Sequence, residues 1–234
     1  MSDASSGERA PQDQERVRVS YDAVVDAYVE RVHDELDHKP LDRGLLTAFA
    51  EQLQEERGAH ALACDIGCGA GHVGAFLAQR GLSVTGIDLS PAMVDRARAL
   101  YPDLTFEVGT MTALAVPNAR FNGIVAFYSI IHLTTDAEVR TALGEFHRIL
   151  APGGLLLVAV HLGEHGDTTV HADDMLGVSV DMDFRFFDAA RLEDEIRASG
   201  FVVEARLVRA PYKDVEVQTR RGYFLGRRVV GDET

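Results

Sequence analysis

The feature that most constrains the fold lies between residues 61 and 71. There an apolar run, Ala61 to Ile66, interrupted only by Asp65, ends in three glycines at alternate positions, Gly67, Gly69 and Gly71. A continuous apolar run of this length fits a strand covered on both faces, as in a parallel sheet flanked by helices. The glycines read as a tight turn into a helix. Without a Cβ they take positive φ at no steric cost and let the backbone come close to a bound molecule. The helix that starts near Gly71 then presents free N–H groups and a positive dipole end to an anionic group.

The remaining chain is compatible with that unit. Residues 82–87 read as a second strand, and Ser90 followed by Pro91 is a helix start, with serine as cap and proline in the first turn. Residues 104–108, 123–128 and 155–161 read as three further strands, with a helix over 136–150 between the last two. Such alternation implies a doubly wound, Rossmann-like α/β fold with a mostly parallel sheet. A helix over 188–199 and strands over 201–208 and 222–230 close it; the polar stretch between these strands predicts an antiparallel pair, hence a seven-stranded sheet with an antiparallel edge strand. Residues 163–187 break the rhythm and are expected to form an insertion over the carboxyl edge of the sheet. Two amphipathic helices, over 15–37 and 41–56, precede the core and are stopped by Pro40 and Gly58. The expected organisation is a disordered tail over 1–14, a helical segment over 15–57, and a core over 58–230.

Composition excludes several classes. The net charge of −14 over 234 residues argues against a nucleic-acid partner, because each phosphate contact needs a cation. The basic cluster Arg220, Arg221, Arg227 and Arg228 is expected to be a solvated edge hairpin. No apolar run approaches the ~18 residues that span a bilayer, so no membrane association is expected. The polar start lacks the basic and apolar regions of a secretory signal. Cys64 and Cys68, the only cysteines, cannot build a disulfide framework or a zinc site by themselves. A cytoplasmic monomer or homodimer is expected.

The glycine loop admits two ligand classes. Gly69, Gly71 and Gly74 also spell GxGxxG, the dinucleotide fingerprint. A nicotinamide site wants its first glycine directly off the strand, yet Gly67 already occupies that place and Asp65 precedes it. A carboxylate there would repel a pyrophosphate but attract a cationic amino group. Asp88, ending the second strand, is placed to take the hydroxyls of an adenosine ribose in either class.

In order and spacing, the blocks LACDIGCGAGHVGAFLAQRG, VTGIDLSPAMVDRARA, FEVGTMTAL, FNGIVAFYSIIHL and RILAPGGLLLVAVH resemble the class I S-adenosylmethionine-dependent methyltransferases, from about Tyr21 to Arg228. The resemblance implies S-adenosyl-L-methionine as cofactor. It implies that Gly67, Cys68 and Gly69 line the methionine part, with Gly71 opening the helix. Asp65 would face the ammonium, Asp88 would bind the ribose, and Leu89 and Met93 would pack on adenine. The residues over 15–57 become a lid, in which Tyr21, Tyr28 and Arg31 share one stripe and could meet the methionine carboxylate. Two positions depart from the family pattern. Thr110 stands where an aspartate usually accepts the adenine amino group, leaving a neutral acceptor beside the Met111 backbone N–H. Asn122 replaces a common aspartate at the start of the fourth strand, a position that is structural more often than catalytic.

Methyl transfer is an in-line displacement, so the protein has to place the nucleophile and remove a proton where one must leave. Tyr128, Ser129 and His132 follow the fourth strand and His161 ends the fifth, which makes Tyr128, His132 and His161 the candidate catalytic residues; Tyr128 and Ser129 also count toward the cofactor site. Each histidine also has a reading as a buried residue with a satisfied hydrogen bond. His161, His165, His171, Asp173 and Asp174 invite a metal reading, but lack a recognisable ligand spacing, so no metal is expected. The expected function is methylation of a small-molecule substrate at oxygen, nitrogen or carbon. The rivals are a nicotinamide-dependent reductase, for which Lys39 and Lys213 offer no tyrosine-lysine pair, and a non-catalytic S-adenosylmethionine-binding protein.

Overall fold

The computed structural model describes residues 6–229, and the side chains of residues 12–229. In chain order the elements are α1 (Ser6–Val32), α2 (Pro40–Arg57), β1 (Leu62–Ile66), α3 (His72–Ala78), β2 (Ser83–Asp88), α4 (Pro91–Leu100), β3 (Thr105–Val108), β4 (Phe121–Phe127), α5 (Asp136–Ile149), β5 (Leu150–Leu162), β6 (Thr168–Met175), β7 (Val178–Phe186), α6 (Ala189–Ala198), β8 (Phe201–Arg209) and β9 (Arg220–Arg228). Seven strands form one sheet in the order β3-β2-β1-β4-β5-β9-β8. Strands β1 to β5 are parallel, and β9 runs antiparallel to both of its neighbours. The antiparallel strand therefore lies one place in from the edge, with β8 outside it.

Sequence chemistry sets the helix starts. Ser90 Oγ accepts from Met93 N at 3.1 Å, with Pro91 in the first turn of α4. Thr135 and Glu138 form a reciprocal capping box on α5. The apolar faces divide around the sheet. Phe49 and Leu53 of α2 and Leu77 of α3 pack on one side, and Phe146 and Ile149 of α5 with Ile196 of α6 pack on the other. Asn122 is structural, its Oδ1 accepting from Leu62 N at 2.9 Å and so tying β1 to β4.

One expectation is corrected and another gains its structure. Helix α1 begins at Ser6 rather than at residue 15, so the disordered tail expected over 1–14 holds for none of residues 6–14; residues 1–5 lie outside the described residues. The segment 163–187 forms a β-hairpin whose two-residue turn, Leu176 and Gly177, has φ of 57° and 79°. Its inner face, with Val180 and Met182, packs against Val24 of α1, so helix and hairpin close over the sheet together. Among the described residues no helix is long and apolar enough to cross a membrane.

The strand order turns back at β1, between β2 and β4. The crevice beyond the carboxyl ends of these strands is where an open α/β sheet places a ligand.

Candidate functional site

The glycine loop sits at that crevice with positive φ at all three alternate glycines, 70° at Gly67, 51° at Gly69 and 87° at Gly71. A methyl carbon added at Gly67 would lie 2.2 Å from Ser129 Cβ, and one at Gly69 would meet the Tyr28 ring at 3.3 Å. The backbone is thus pressed against the turn after β4 on one side and α1 on the other. Gly67 and Cys68 donate to Ile87 O at 2.7 and 3.2 Å, and Gly69 N donates to Asp88 Oδ2 at 2.7 Å. Asp88 Oδ1 accepts from Ser90 N at 2.9 Å. Burial pushes the Asp88 carboxyl above its ordinary value, opposed by the N–H groups of Ser90 and Gly69.

The cleft around this loop is lined by Leu89, Thr110 and Met111 on one side, Ser129 and His132 on the other, and Tyr21 and Tyr28 from α1. Gly67, Gly69, Asp88 and Tyr128 also line it. Five expected cofactor residues do not. Arg31 donates to Val215 O from an exposed position, because its stripe on α1 turns toward the chain before β9. Cys68 packs with Val94, Ala97 and Phe106. Met93 is buried under α1 with Val24 and Ala70. Gly71 is crowded by Phe106 and serves as the left-handed cap of α3. Asp65 lies behind the loop, 1% exposed, near Gly74.

Asp65 has no exposed route to water, yet its Oδ2 has no hydrogen-bond partner. Burial pushes its pKa up to about 7, partly opposed by the charge of the His72 ring. Ser129, by contrast, is fully used, its Oγ donating to Ile66 O at 2.6 Å.

Sequence reasoning missed several lining residues. Gln14 lines the cleft and is bound to Thr110, whose Oγ1 donates to Gln14 Oε1 at 3.1 Å, while Gln14 Nε2 donates to Thr112 Oγ1 at 2.9 Å. Asp22 pins the lid to the start of α4, accepting from Ser90 Oγ at 2.6 Å and Ala92 N at 3.2 Å. Nothing local in the sequence signals either pairing.

On the acceptor side, His132 Nδ1 donates to Asp183 O of the hairpin at 3.1 Å, which leaves Nε2 to accept from the Tyr21 hydroxyl at 2.7 Å. Burial lowers the His132 pKa to about 4, against the opposing pull of the Asp183 carbonyl. Tyr128, at φ 56°, has its hydroxyl 3.1 Å from Asp42 Oδ1 and 2.7 Å from the Tyr223 hydroxyl, so only its ring faces the cleft. As a candidate catalytic residue Tyr128 thus offers the cleft its ring and not a free hydroxyl. His161 Nδ1 is 2.7 Å from Thr219 Oγ1, and burial with the nearby Arg221 and Lys39 charges lowers its pKa to about 3. It stands beside a second cavity of about 430 Å³, separate from the cleft's glycine loop but sharing with the cleft the side chains of Tyr21, Tyr28, Phe127 and Tyr128. The expected solvated arginine hairpin is also corrected. Arg221 is 2% exposed and borders this cavity, and Arg227 is paired with Glu56 and Glu204.

Residues 63–154 match the model of a methyltransferase domain. The chain is 29% identical over 147 residues to a probable S-adenosylmethionine-dependent methyltransferase of Mycolicibacterium smegmatis, covering 61% of this chain and 52% of that one. It is 31% identical over 115 residues to an O-methyltransferase of Aspergillus sclerotiorum, covering 46% and 42%. The chain spans about half the length of the curated relatives it matches. Over residues 63–154 the chain is thus similar to S-adenosylmethionine-dependent methyltransferases. Its fold matches that of the Burkholderia thailandensis 1,6-didemethyltoxoflavin-N1-methyltransferase, solved with its acceptor and S-adenosylhomocysteine, at a TM-score of 0.64 and 20% identity over 98% of this chain and 93% of that one.

The residues present suit the family's cofactor. The loop reaches the cleft without side chains at Gly67 and Gly69, and Asp88 lines the same cleft with a carboxylate, whereas Asp65 stands behind the loop with its Oδ2 unpartnered.

The unusual Asp65 yields a prediction. A carboxyl whose folded pKa lies above its ordinary value retains a proton that the unfolded chain has lost, so its contribution to stability falls as pH rises from about 4 through about 7. At pH 8 Asp65→Asn should therefore melt roughly 5–10 °C higher than the wild type without ligand, with the difference shrinking toward pH 4. Thermal melts across this range check it; an unchanged melting temperature at pH 8 would contradict it.

Thr110 gives a smaller one. Thr110→Asp restores a charged acceptor to which Thr112 Oγ1 can still donate, and Gln14 Nε2 once its amide turns over, so affinity for S-adenosylhomocysteine should hold or tighten by up to about tenfold. A tenfold loss in titration would mean that this side chain faces something other than adenine.

Proposed function

We propose that the protein transfers the methyl group of S-adenosylmethionine to an oxygen, nitrogen or carbon atom of a small-molecule acceptor. The observation that carries this reading is the sharing of Tyr21, Tyr28, Phe127 and Tyr128 between the cleft and the second cavity. Space for an acceptor opens directly beside the place of the cofactor, framed by four aromatic side chains. The names of the Aspergillus O-methyltransferase and the Burkholderia N1-methyltransferase agree with a small acceptor. The net charge of −14 supports action away from nucleic acid; the proposal includes a cytoplasmic monomer or homodimer.

When bound, the cofactor supplies a methyl group on a sulfonium, which is its own leaving group. The chain supplies placement and proton removal. Tyr21 and Tyr28 close the lid side and exclude water, and Tyr128, held by Asp42 and Tyr223, fixes the opposite wall. His132 is neutral at ordinary pH, and its free Nε2 lone pair is occupied by the Tyr21 hydroxyl. A proton leaving the acceptor would pass to Tyr21 Oη as the Tyr21 proton moves to His132 Nε2, with Nδ1–H remaining on the Asp183 carbonyl.

The sign of the pH dependence follows. With its pKa lowered to about 4, His132 stays able to accept down to about pH 5. At saturating cofactor, kcat should show no His132 limb between pH 5.5 and 8; a decline with a midpoint near 6.5, the value of an unperturbed imidazole, would contradict the buried Tyr21–His132 arrangement.

The function itself is tested with tritiated-methyl S-adenosylmethionine and a cell extract, separated into small-molecule and acid-precipitable fractions. Label in the small-molecule fraction supports the proposal. Label only in precipitable macromolecules, or none while S-adenosylhomocysteine binds, overturns it, the second result favouring the non-catalytic binding protein.

A further inference from the structure

Building on the methyltransferase reading, we infer that the second cavity is the acceptor site and that it takes a flat, uncharged aromatic or heteroaromatic molecule. Its volume of about 430 Å³ falls in the range that encloses small organic ligands. Its walls are rings. Phe184 and Phe186 project from β7, and Tyr128 lies opposite, with His161 between, its ring centroid 5.3 Å from Tyr128 and 5.7 Å from Phe186. Phe186 is half-buried yet belongs to none of the apolar clusters of the core among the described residues. An aromatic ring left without a core partner beside a cavity is a ready stacking surface.

The charged groups at the cavity decide the class of ligand. Lys39, 5% exposed, has its Nζ 2.6 Å from Glu35 Oε2 and 3.7 Å from Glu216 Oε2. Arg221 lies 3.3 Å from Glu216 Oε2 and donates to the carbonyls of Val217 and Thr219. Glu35 Oε1 is 3.1 Å from His72 Nε2. The buried cations are therefore matched by buried anions, and a carboxylate or phosphate on the acceptor would have to displace Glu35 or Glu216, leaving a charge unpaired away from water. An ammonium faces the same cost from the other sign. At the mouth, exposed Arg31 and Asp174 bring one charge of each sign. Against this balanced floor, a neutral ring system loses little hydration and gains stacking on Phe186 and Tyr128. His161, with Nδ1 engaged by Thr219, keeps Nε2 for one hydrogen bond to a ring hydroxyl, carbonyl or N–H.

The test uses the full chain loaded with S-adenosylhomocysteine and three probes of one shape, 2-naphthol, 2-naphthoate and 2-(aminomethyl)naphthalene, titrated calorimetrically. Expected is saturable binding of 2-naphthol at least fivefold tighter than either charged probe, weakened at least fivefold in Phe186→Ala. Equal or tighter binding of a charged probe, no saturable binding of 2-naphthol, or 2-naphthol binding indifferent to Phe186→Ala would overturn the assignment. Binding of S-adenosylhomocysteine, measured first on each sample, separates the two levels. Its failure in the wild-type protein would sink the methyltransferase reading, whereas intact binding with any of the adverse outcomes sinks only the acceptor class.

Discussion

Gly67→Val should lower affinity for S-adenosylhomocysteine by at least about 100-fold while the protein keeps its fold. The reason is local and steric. At φ 70° an L side chain is strained, at a cost of order 1–3 kcal/mol, and a β-branched one fits such a backbone worst. The new Cβ would sit 2.2 Å from Ser129 Cβ. Ser129 cannot easily withdraw, because its Oγ is held by Ile66 O and the residue is 8% exposed. The loop has to move instead, and with it the N–H of Gly69 that Asp88 holds. Calorimetry gives the affinity and far-ultraviolet circular dichroism the fold. Affinity within fivefold of wild type would mean that the loop is a turn and nothing more.

Removing the carboxylate that organises this loop should have an effect of similar size. Asp88→Ala deletes the acceptor of Gly69 N–H and Ser90 N–H together with the group placed for the ribose hydroxyls. Hydrogen bonds to a charged acceptor are each worth about 1.5–3 kcal/mol, so a total loss of roughly 2–4 kcal/mol, or about 30- to 1000-fold in affinity, is expected. If Asp88 only capped the turn into α4, the variant would lose melting temperature but bind S-adenosylhomocysteine within twofold of wild type. That outcome would remove Asp88 from the cofactor site.

Where chemistry is local, the sequence was readable. The strand before Gly67, the glycines, the Ser90–Pro91 helix start and the alternation that builds the sheet all depend on neighbours a few residues away, and each is found in place. The hairpin of residues 168–186 carries a local signal: from Val178 to Phe186 apolar residues alternate with Ser, Asp or Arg at every second position, preceded by the Leu176-Gly177 turn. Its early His, Asp and Thr content masked that pattern. Residues 6–14 read as unstructured because their composition is polar, whereas Gln14 is bound by Thr110 and Thr112, nearly a hundred positions away. The same limit applies to the buried charges. Asp42 with Arg209, and Lys39 with Glu216, pair across more than 160 positions, and no spacing rule announces them. The same holds for Tyr128, a candidate catalytic residue whose hydroxyl is occupied by partners from α2 and β9.

Gly67, Gly69 and Asp88 are expected to bind S-adenosylmethionine rather than a nicotinamide dinucleotide. Titrating the wild-type protein in a calorimeter with S-adenosylmethionine, S-adenosylhomocysteine and NADH tests it most directly. Saturable binding of both sulfur compounds, one per chain, is expected, with no heat of binding from NADH. Saturable binding of NADH with none of S-adenosylhomocysteine would contradict it.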